Sequence, residues 1–145
     1  MYSANFDYVR AESLDHVMEL LSDNPTARLL AGGHSLIPAM KIRLDNPDMV
    51  IDIGRLEDLK GITSMTSKVN IGALTTHAEI ASSDAVPAGL REAAGMVGDP
   101  QVRNRGTIGG NVAHADPASD LPIILVALQA KFHLSGPEES RTIQA

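Results

Sequence analysis

The residues of this chain best suited to chemistry lie in two glycine-rich stretches, LLAGGHS at positions 29–35 and RGTIGGN at positions 105–111. In each, a short apolar run ends in a glycine pair followed by side chains that exchange hydrogen bonds. Glycine reaches backbone angles closed to other residues and leaves the neighbouring peptide N–H groups uncovered by any Cβ. Successive N–H groups turned inward form a concave anion site. Gly32 and Gly33, with His34 and Ser35 beside them, are therefore candidates to flank a pyrophosphate, as are Gly109 and Gly110, bracketed by Thr107 and Asn111. Arg103 and Arg105 are placed either to balance phosphate charge or simply to face water. The competing reading of each glycine pair is a tight turn and nothing more.

Familiar phosphate loops do not account for these stretches. A Walker loop needs a lysine and a serine or threonine after its last glycine, and neither AGGHSLIP nor TIGGNVAH supplies them. The three-glycine dinucleotide fingerprint is also missing. The segment HADPASD offers His114, Asp116 and Asp120, which read as ligands for a hard or borderline metal or as turn and N-cap residues, although the spacing matches no strong metal signature. Asp120 is also placed to favour the first turn of a following helix through its charge. No Ser-His-Asp set or close carboxylate pair emerges from the spacing, so no catalytic side chain and no metal ligand is assigned.

The elements that must position these residues follow from periodicity. Leu14, Val17, Met18 and Leu21 fall at helical spacing behind Ser13, a suitable N-cap. ARLLAGG reads as a short buried strand ending at the first glycine pair, with Ser35 placed to cap a turn through LIPAMK, and DMVIDIG reads as a second strand. This order predicts a small α/β unit with parallel strands. From Ile62 the pattern alternates through GITSMTSKVNIGAL about a turn at Thr66-Ser67, which predicts an antiparallel hairpin. Thr76 and Glu79 form a capping-box pattern before HAEIASS, and Pro87 opens a helix through AGLREAAGMVG. Leu121 to Leu128 reads as a helix, and KFHL and RTIQA as two strands. Asp99-Pro100 reads as a turn, His77 as lying on a polar helix face, and the methionines at 18, 40, 49, 65 and 96 as core filler.

Composition narrows the function classes. The 145 residues suit one domain or two small subdomains, and 43% apolar with 21% charged residues is ordinary for a globular chain. The 12 basic and 18 acidic residues leave a net charge of -6, the wrong sign for broad nucleic-acid binding, and Tyr2, Phe6, Tyr8 and Phe132 are too few for base-stacking platforms. Without cysteine the chain holds neither a disulfide nor an iron–sulfur cluster, so redox chemistry has to come from an organic cofactor. The longest apolar run, from Leu121 to Ala130, is far shorter than a membrane span, and the N-terminus lacks a secretory pattern, which makes the cytoplasm the expected location.

LLAGGHSLIPAMKIRLDNPDMVIDIGRL followed by GDPQVRNRGTIGGNVAHADPASDLP resembles the FAD-binding medium subunits of molybdenum hydroxylases, the xanthine dehydrogenase group, and is most like those of aerobic carbon monoxide dehydrogenases. The similarity includes the start FDYVRAESLDHVMELL and runs over nearly the whole chain. It implies an α+β, two-subdomain FAD-binding fold of the vanillyl-alcohol oxidase type, with residues 1–56 as a small α/β unit and 57–145 as a mainly antiparallel sheet with helices. It further implies that Ala31, Gly32, Gly33, His34 and Ser35, joined by Leu36 and Ile37, wrap the FAD pyrophosphate, and that Thr107, Ile108, Gly109, Gly110 and Asn111 approach it from the second subdomain. Val97 stands where related proteins place a flavin-contacting residue, and Asp120 where a carboxylate meets sugar or ribityl hydroxyls.

The resembled subunits hold FAD without a covalent bond, so His34 is expected to hydrogen-bond rather than attach the flavin. Implied partners are a molybdopterin-binding large subunit and an iron–sulfur small subunit, with electrons passing from the clusters through FAD to an external acceptor. The last strand stops without a turn or cap, and family members carry a C-terminal flavin-covering domain, so the sequence is expected to be the front part of a longer protein, inactive alone. The alternatives are a nonenzymatic nucleotide- or phosphate-binding module, or an assembly scaffold.

Overall fold

Val50 and Ile51 are neighbours in sequence, and both are almost fully buried, with 2% and 0% of their surface exposed. Side chains alternate along a strand, so this strand is covered on both faces, as in a parallel sheet sandwiched by helices. The computed structural model describes residues Tyr2–Ala145 and divides into two units, Met1–Glu57 and Asp58–Ala145. In the first unit, β1 (Asp7–Arg10), α1 (Leu14–Asp23), β2 (Arg28–Leu30), α2 (Leu36–Lys41) and β3 (Met49–Asp52) follow one another. The strands form a three-stranded parallel sheet in the order β1-β3-β2, with Tyr8 opposite Val50 and Leu30 opposite Asp52. Ser13 caps α1 by accepting from the His16 N–H at 3.1 Å, and Val17 is buried from its inner face. The expected parallel α/β unit is therefore present, with the glycine pair at the C-terminal end of β2.

The second unit begins with the antiparallel hairpin β4 (Ile62–Ser64) and β5 (Val69–Ile71), closed by Met65 N–H donating to Lys68 O at 2.8 Å. Helices α3 (His77–Ser82), α4 (Ala88–Met96), α5 (Pro100–Arg103), α6 (Ile108–His114) and α7 (Asp120–Ala127) follow, then the antiparallel hairpin β6 (Lys131–Ser135) and β7 (Ser140–Gln144). Ile80, Val86, Leu90, Ala93, Ala94, Ile108, Leu121 and Leu125 form its core, and Ile62, Ile71 and Phe132 of the hairpins pack on it. The capping box is complete: Thr76 Oγ1 accepts from Glu79 N–H at 3.2 Å, and Glu79 Oε2 accepts from Thr76 N–H at 2.7 Å.

The antiparallel strands expected in this unit are present as two separate two-stranded sheets among the described residues, and the helices form its centre. Two local expectations need correction. Asp99-Pro100 is a helix start: the Asp99 carboxylate accepts from Val102 N–H at 2.9 Å, with Pro100 in the first turn, where its missing N–H costs nothing. Of the methionines, Met40 is buried, but Met65 and Met96 are 49% and 71% exposed, so they fill no core here.

Candidate functional site

The two glycine stretches turn out to be physically different. At the first, the chain leaves β2, Gly33 adopts φ 81°, and α2 begins, with Ile37 N–H donating to Gly33 O at 3.1 Å and Ala39 N–H to Ser35 O at 3.1 Å. Among the described residues, the N–H groups of Gly32, Gly33, His34, Ser35 and Leu36 make no hydrogen bond. A consecutive run of free N–H groups at a strand end and helix start concentrates positive backbone dipoles. His34 and Ser35 are exposed, and Ser35 occupies the N-cap position without a side-chain capping bond, which corrects the expected cap. Its backbone is helical there, at φ -103° and ψ -50°, rather than extended as a capping residue requires. Ala31 is half-buried, and Ile37 leans with Leu30, Met40 and Val50 into an apolar cavity of about 350 Å³.

At the second stretch the backbone donors are already spent. Thr107 caps α6, its Oγ1 accepting from Gly110 N–H at 3.2 Å, while Gly109 N–H donates to Ala73 O at 2.8 Å. Ile108 N–H donates to Thr75 O and Asn111 N–H to Thr107 O, each at 3.0 Å, and Thr107 bridges to Thr76. The glycine pair is thus the first turn of a helix and offers no second cradle of free amides. A Cβ at Gly109 would stand 2.7 Å from the Ala73 carbonyl oxygen, so glycine is needed there for close backbone approach. What this stretch leaves available is an exposed Gly110 and the half-buried Asn111, whose Oδ1 accepts from the Ser119 hydroxyl at 3.0 Å.

Asp120 is exposed at the start of α7 and has no hydrogen-bond or ion-pair partner among the described residues, so both carboxylate oxygens are open to a hydroxyl. Asp116 Oδ1 accepts from Ala118 N–H at 2.9 Å in a local turn, and His114 is exposed at the end of α6. No group of three or more potential metal ligands gathers among the described residues. Val97 ends α4 and packs partly buried against the core. Arg103 donates to Val97 O and Gly98 O, both at 3.1 Å, so its guanidinium fixes this corner instead of waiting for phosphate. Arg105 is exposed.

His77, expected on a polar helix face, is buried, with 3% of its surface exposed. Its N–H donates to Gly106 O at 3.0 Å, and a Cβ on Gly106 would stand 3.0 Å from the ring Nε2, so the bare glycine admits the imidazole beneath the second stretch. Nδ1 has no partner, and burial lowers the His77 pKa below its ordinary 6.5. Above that value both folded and unfolded chains hold a neutral ring. As pH falls below it the unfolded chain is protonated first, so stability falls until the folded pKa is passed. Denaturant unfolding between pH 7.5 and 5 is expected to show this loss, with a slope of at most about 1.4 kcal/mol per pH unit from this one group. In His77→Gln that component of the slope disappears.

Comparison with known proteins places these features in a family. The family described as FAD binding domain in molybdopterin dehydrogenase matches residues 4–145. The chain belongs to this family. It is 46% identical to the glyceraldehyde dehydrogenase medium chain of Sulfolobus acidocaldarius over the whole chain and 53% of that relative, and 45% identical to the carbon monoxide dehydrogenase medium chain of Hydrogenophaga pseudoflava over the whole chain and 52% of that relative. The solved carbon monoxide dehydrogenase of Hydrogenophaga pseudoflava superposes with TM-score 0.95 at 44% identity, covering 99% of this chain and 52% of that one. Quinoline 2-oxidoreductase of Pseudomonas putida 86 superposes with TM-score 0.96 at 31% identity, over 99% of this chain and 52% of that one. The chain thus spans about half the length of the relatives it matches.

The family cofactor is FAD, and the residues present fit it. A diphosphate carries oxygens in need of several donors at close range, which the unpaired Gly32–Leu36 amides provide. Gly33 sits at φ 81°, which a residue with a Cβ adopts only at a cost, so glycine suits the loop in this shape.

Proposed function

We propose that this chain is the flavin-holding part of a molybdenum hydroxylase medium subunit, binding FAD noncovalently with its diphosphate on the Gly32–Leu36 amides. The run of unpaired N–H groups is the observation that carries this reading, and the family membership supports it. Ala31 and Ile37 bound that loop, and the His34 and Ser35 side chains, both exposed, add donors at its edge. Asn111 and Asp120 serve nucleotide hydroxyls through their side chains, while Thr107, Ile108 and Gly109 hold the second stretch in shape and Gly110 permits close approach. Val97, anchored by Arg103, is the apolar contact for the flavin.

Bound FAD supplies the two-electron chemistry; the chain's own residues bind and orient it, and no side chain has to give or take a proton. The names of the relatives, medium chains of dehydrogenases, support a place in a multi-subunit assembly. A large molybdopterin-binding partner, a small iron–sulfur partner, electron passage from the clusters to an external acceptor and a cytoplasmic location complete the proposal. Relatives named for carbon monoxide, glyceraldehyde and nicotine bear the same kind of domain, so the substrate is set elsewhere in the assembly.

Titration with FAD, followed by quenching of flavin fluorescence, is expected to saturate at one flavin per chain. Acid precipitation should then release the flavin to the supernatant. A protein that binds ADP or pyrophosphate but leaves flavin fluorescence unchanged would be the nonenzymatic phosphate module instead, and flavin retained in the acid pellet would overturn noncovalent binding.

A further inference from the structure

A polar cluster at the C-terminal ends of the parallel strands lies outside the residues assigned above to direct contact with FAD. Asp52, the last residue of β3, accepts from the Tyr8 hydroxyl at Oδ2 and from Gly54 N–H at Oδ1, the latter at 2.8 Å. Arg10 Nε lies 3.9 Å from Oδ2, and its Nη2 lies 3.4 Å from the Tyr8 hydroxyl oxygen. Tyr8 and Arg10 stand opposite Val50 and Asp52 in the parallel register, so alternation puts hydroxyl, guanidinium and carboxylate on one face. Burial alone would raise the Asp52 pKa; Tyr8, Gly54, Arg10 and Arg55 together outweigh it and hold the carboxyl below its ordinary value.

The cluster reaches the amide loop through backbone contacts. Ile53 N–H donates to Leu30 O at 3.0 Å, and Ala11 N–H donates to Asp52 O at 3.0 Å, so the ends of all three strands meet at this residue. A Cβ on Gly54 would stand 3.1 Å from Asp52 Oδ1 and 3.8 Å from Ala31 O, which seats the turn after β3 against the first residue of the loop. The loop's amides are unpaired, and its Gly33 and Ser35 carbonyls are tied into the start of α2, so the strand ends beside it bear on its shape. An anion site gains affinity when its donors are set before the ligand arrives.

We propose that Asp52, held by Tyr8 and Arg10, is a positioning residue that clamps the strand ends and so keeps the Gly32–Leu36 amides aimed at a diphosphate. This inference rests on the assignment of that loop to the FAD diphosphate. Tyr8→Phe removes the hydroxyl and keeps a ring that is already 49% exposed, and Asp52→Asn removes the charge at nearly constant size.

Amide order parameters from NMR relaxation of the ligand-free chain supply the first readout. They should fall at Gly32–Leu36 from about 0.85 to below about 0.6 in both variants, with α1 and α4 unchanged. FAD titrations supply the second, with both variants binding about three- to thirtyfold more weakly than wild type, and the double variant no more weakly than Asp52→Asn. If Asp52→Asn does not fold, Tyr8→Phe decides. Loop order parameters equal to wild type overturn the clamp, whatever FAD does. A wild-type chain that binds neither FAD nor inorganic pyrophosphate, while the variants still loosen the loop, supports the clamp and overturns the diphosphate assignment.

Discussion

Gly33→Ala lowers FAD affinity by at least tenfold while the second unit keeps its stability. The residue sits at φ 81°, where a side chain costs about 1–2 kcal/mol, and the new Cβ would also lie 2.7 Å from Ile37 Cδ1 and 3.2 Å from Leu30 Cδ1. Both neighbours are ends of flexible side chains, so the chain yields rather than unfolds. The cheapest relief is to rotate the Gly33 peptide toward negative φ, which turns the neighbouring N–H groups away from a shared focus. Each lost increment of about 1.4 kcal/mol is tenfold in affinity. Isothermal titration with FAD, alongside thermal unfolding of the ligand-free protein, separates lost binding from lost folding. A variant with wild-type FAD affinity would remove this loop from the site.

Gly109→Ala, by contrast, damages the fold before it touches any ligand. The added methyl would meet Ala73 Cβ and Ala73 O at 2.7 Å and Ala73 Cα at 2.9 Å, and backbone cannot swing aside as a side-chain tip does. Relief requires α6 to move away from the 73–77 segment, stretching the bonds from Gly109 to Ala73 and from Ile108 to Thr75. A cost of about 3 kcal/mol follows from overpacking of this kind, which corresponds to a fall in Tm on the order of 10–20 °C for a unit of this size. Gly89→Ala serves as an opposite-signed control. It lies in α4, and an added methyl would meet nothing within 4 Å, so it is expected to gain up to about 1 kcal/mol. Thermal scans of both variants, monitored by far-UV circular dichroism, test the pair together.

The parts of this protein written in local pattern were legible from its sequence. Ser13, the Thr76–Glu79 pair and the MVID run each act within a few residues, and each does in the structure what its spacing predicts. The first glycine stretch belongs to the same class, because a strand, a bare corner and a helix start follow directly along the chain. The second stretch differs from a corner in its local backbone, for a physical reason. Glycines disfavour helices, so GG reads as a corner, but here the pair opens a helix, and Gly109 is needed because Ala73 lies where its side chain would otherwise be. His77 was misplaced in the same way. Its sequence neighbours are small or polar, and its burial comes from Gly106, far along the chain. Asp52 carried a readable hint, since an aspartate two residues before glycine often accepts from its N–H; its links to Tyr8 and Arg10 depend on β1 lying beside β3.

The closing hairpin of the second unit has a practical outcome for anyone handling this protein. All five residues of β7 are exposed, Ile143 among them at 42%, and among the described residues β7 pairs with β6 alone. Such a border offers unsatisfied peptide groups to any extended segment that meets it, including its counterpart in another molecule. A polypeptide of these 145 residues alone should therefore tend toward ribbon-like self-assembly through this border in concentrated solution, and a lysine in place of Ile143 would blunt it.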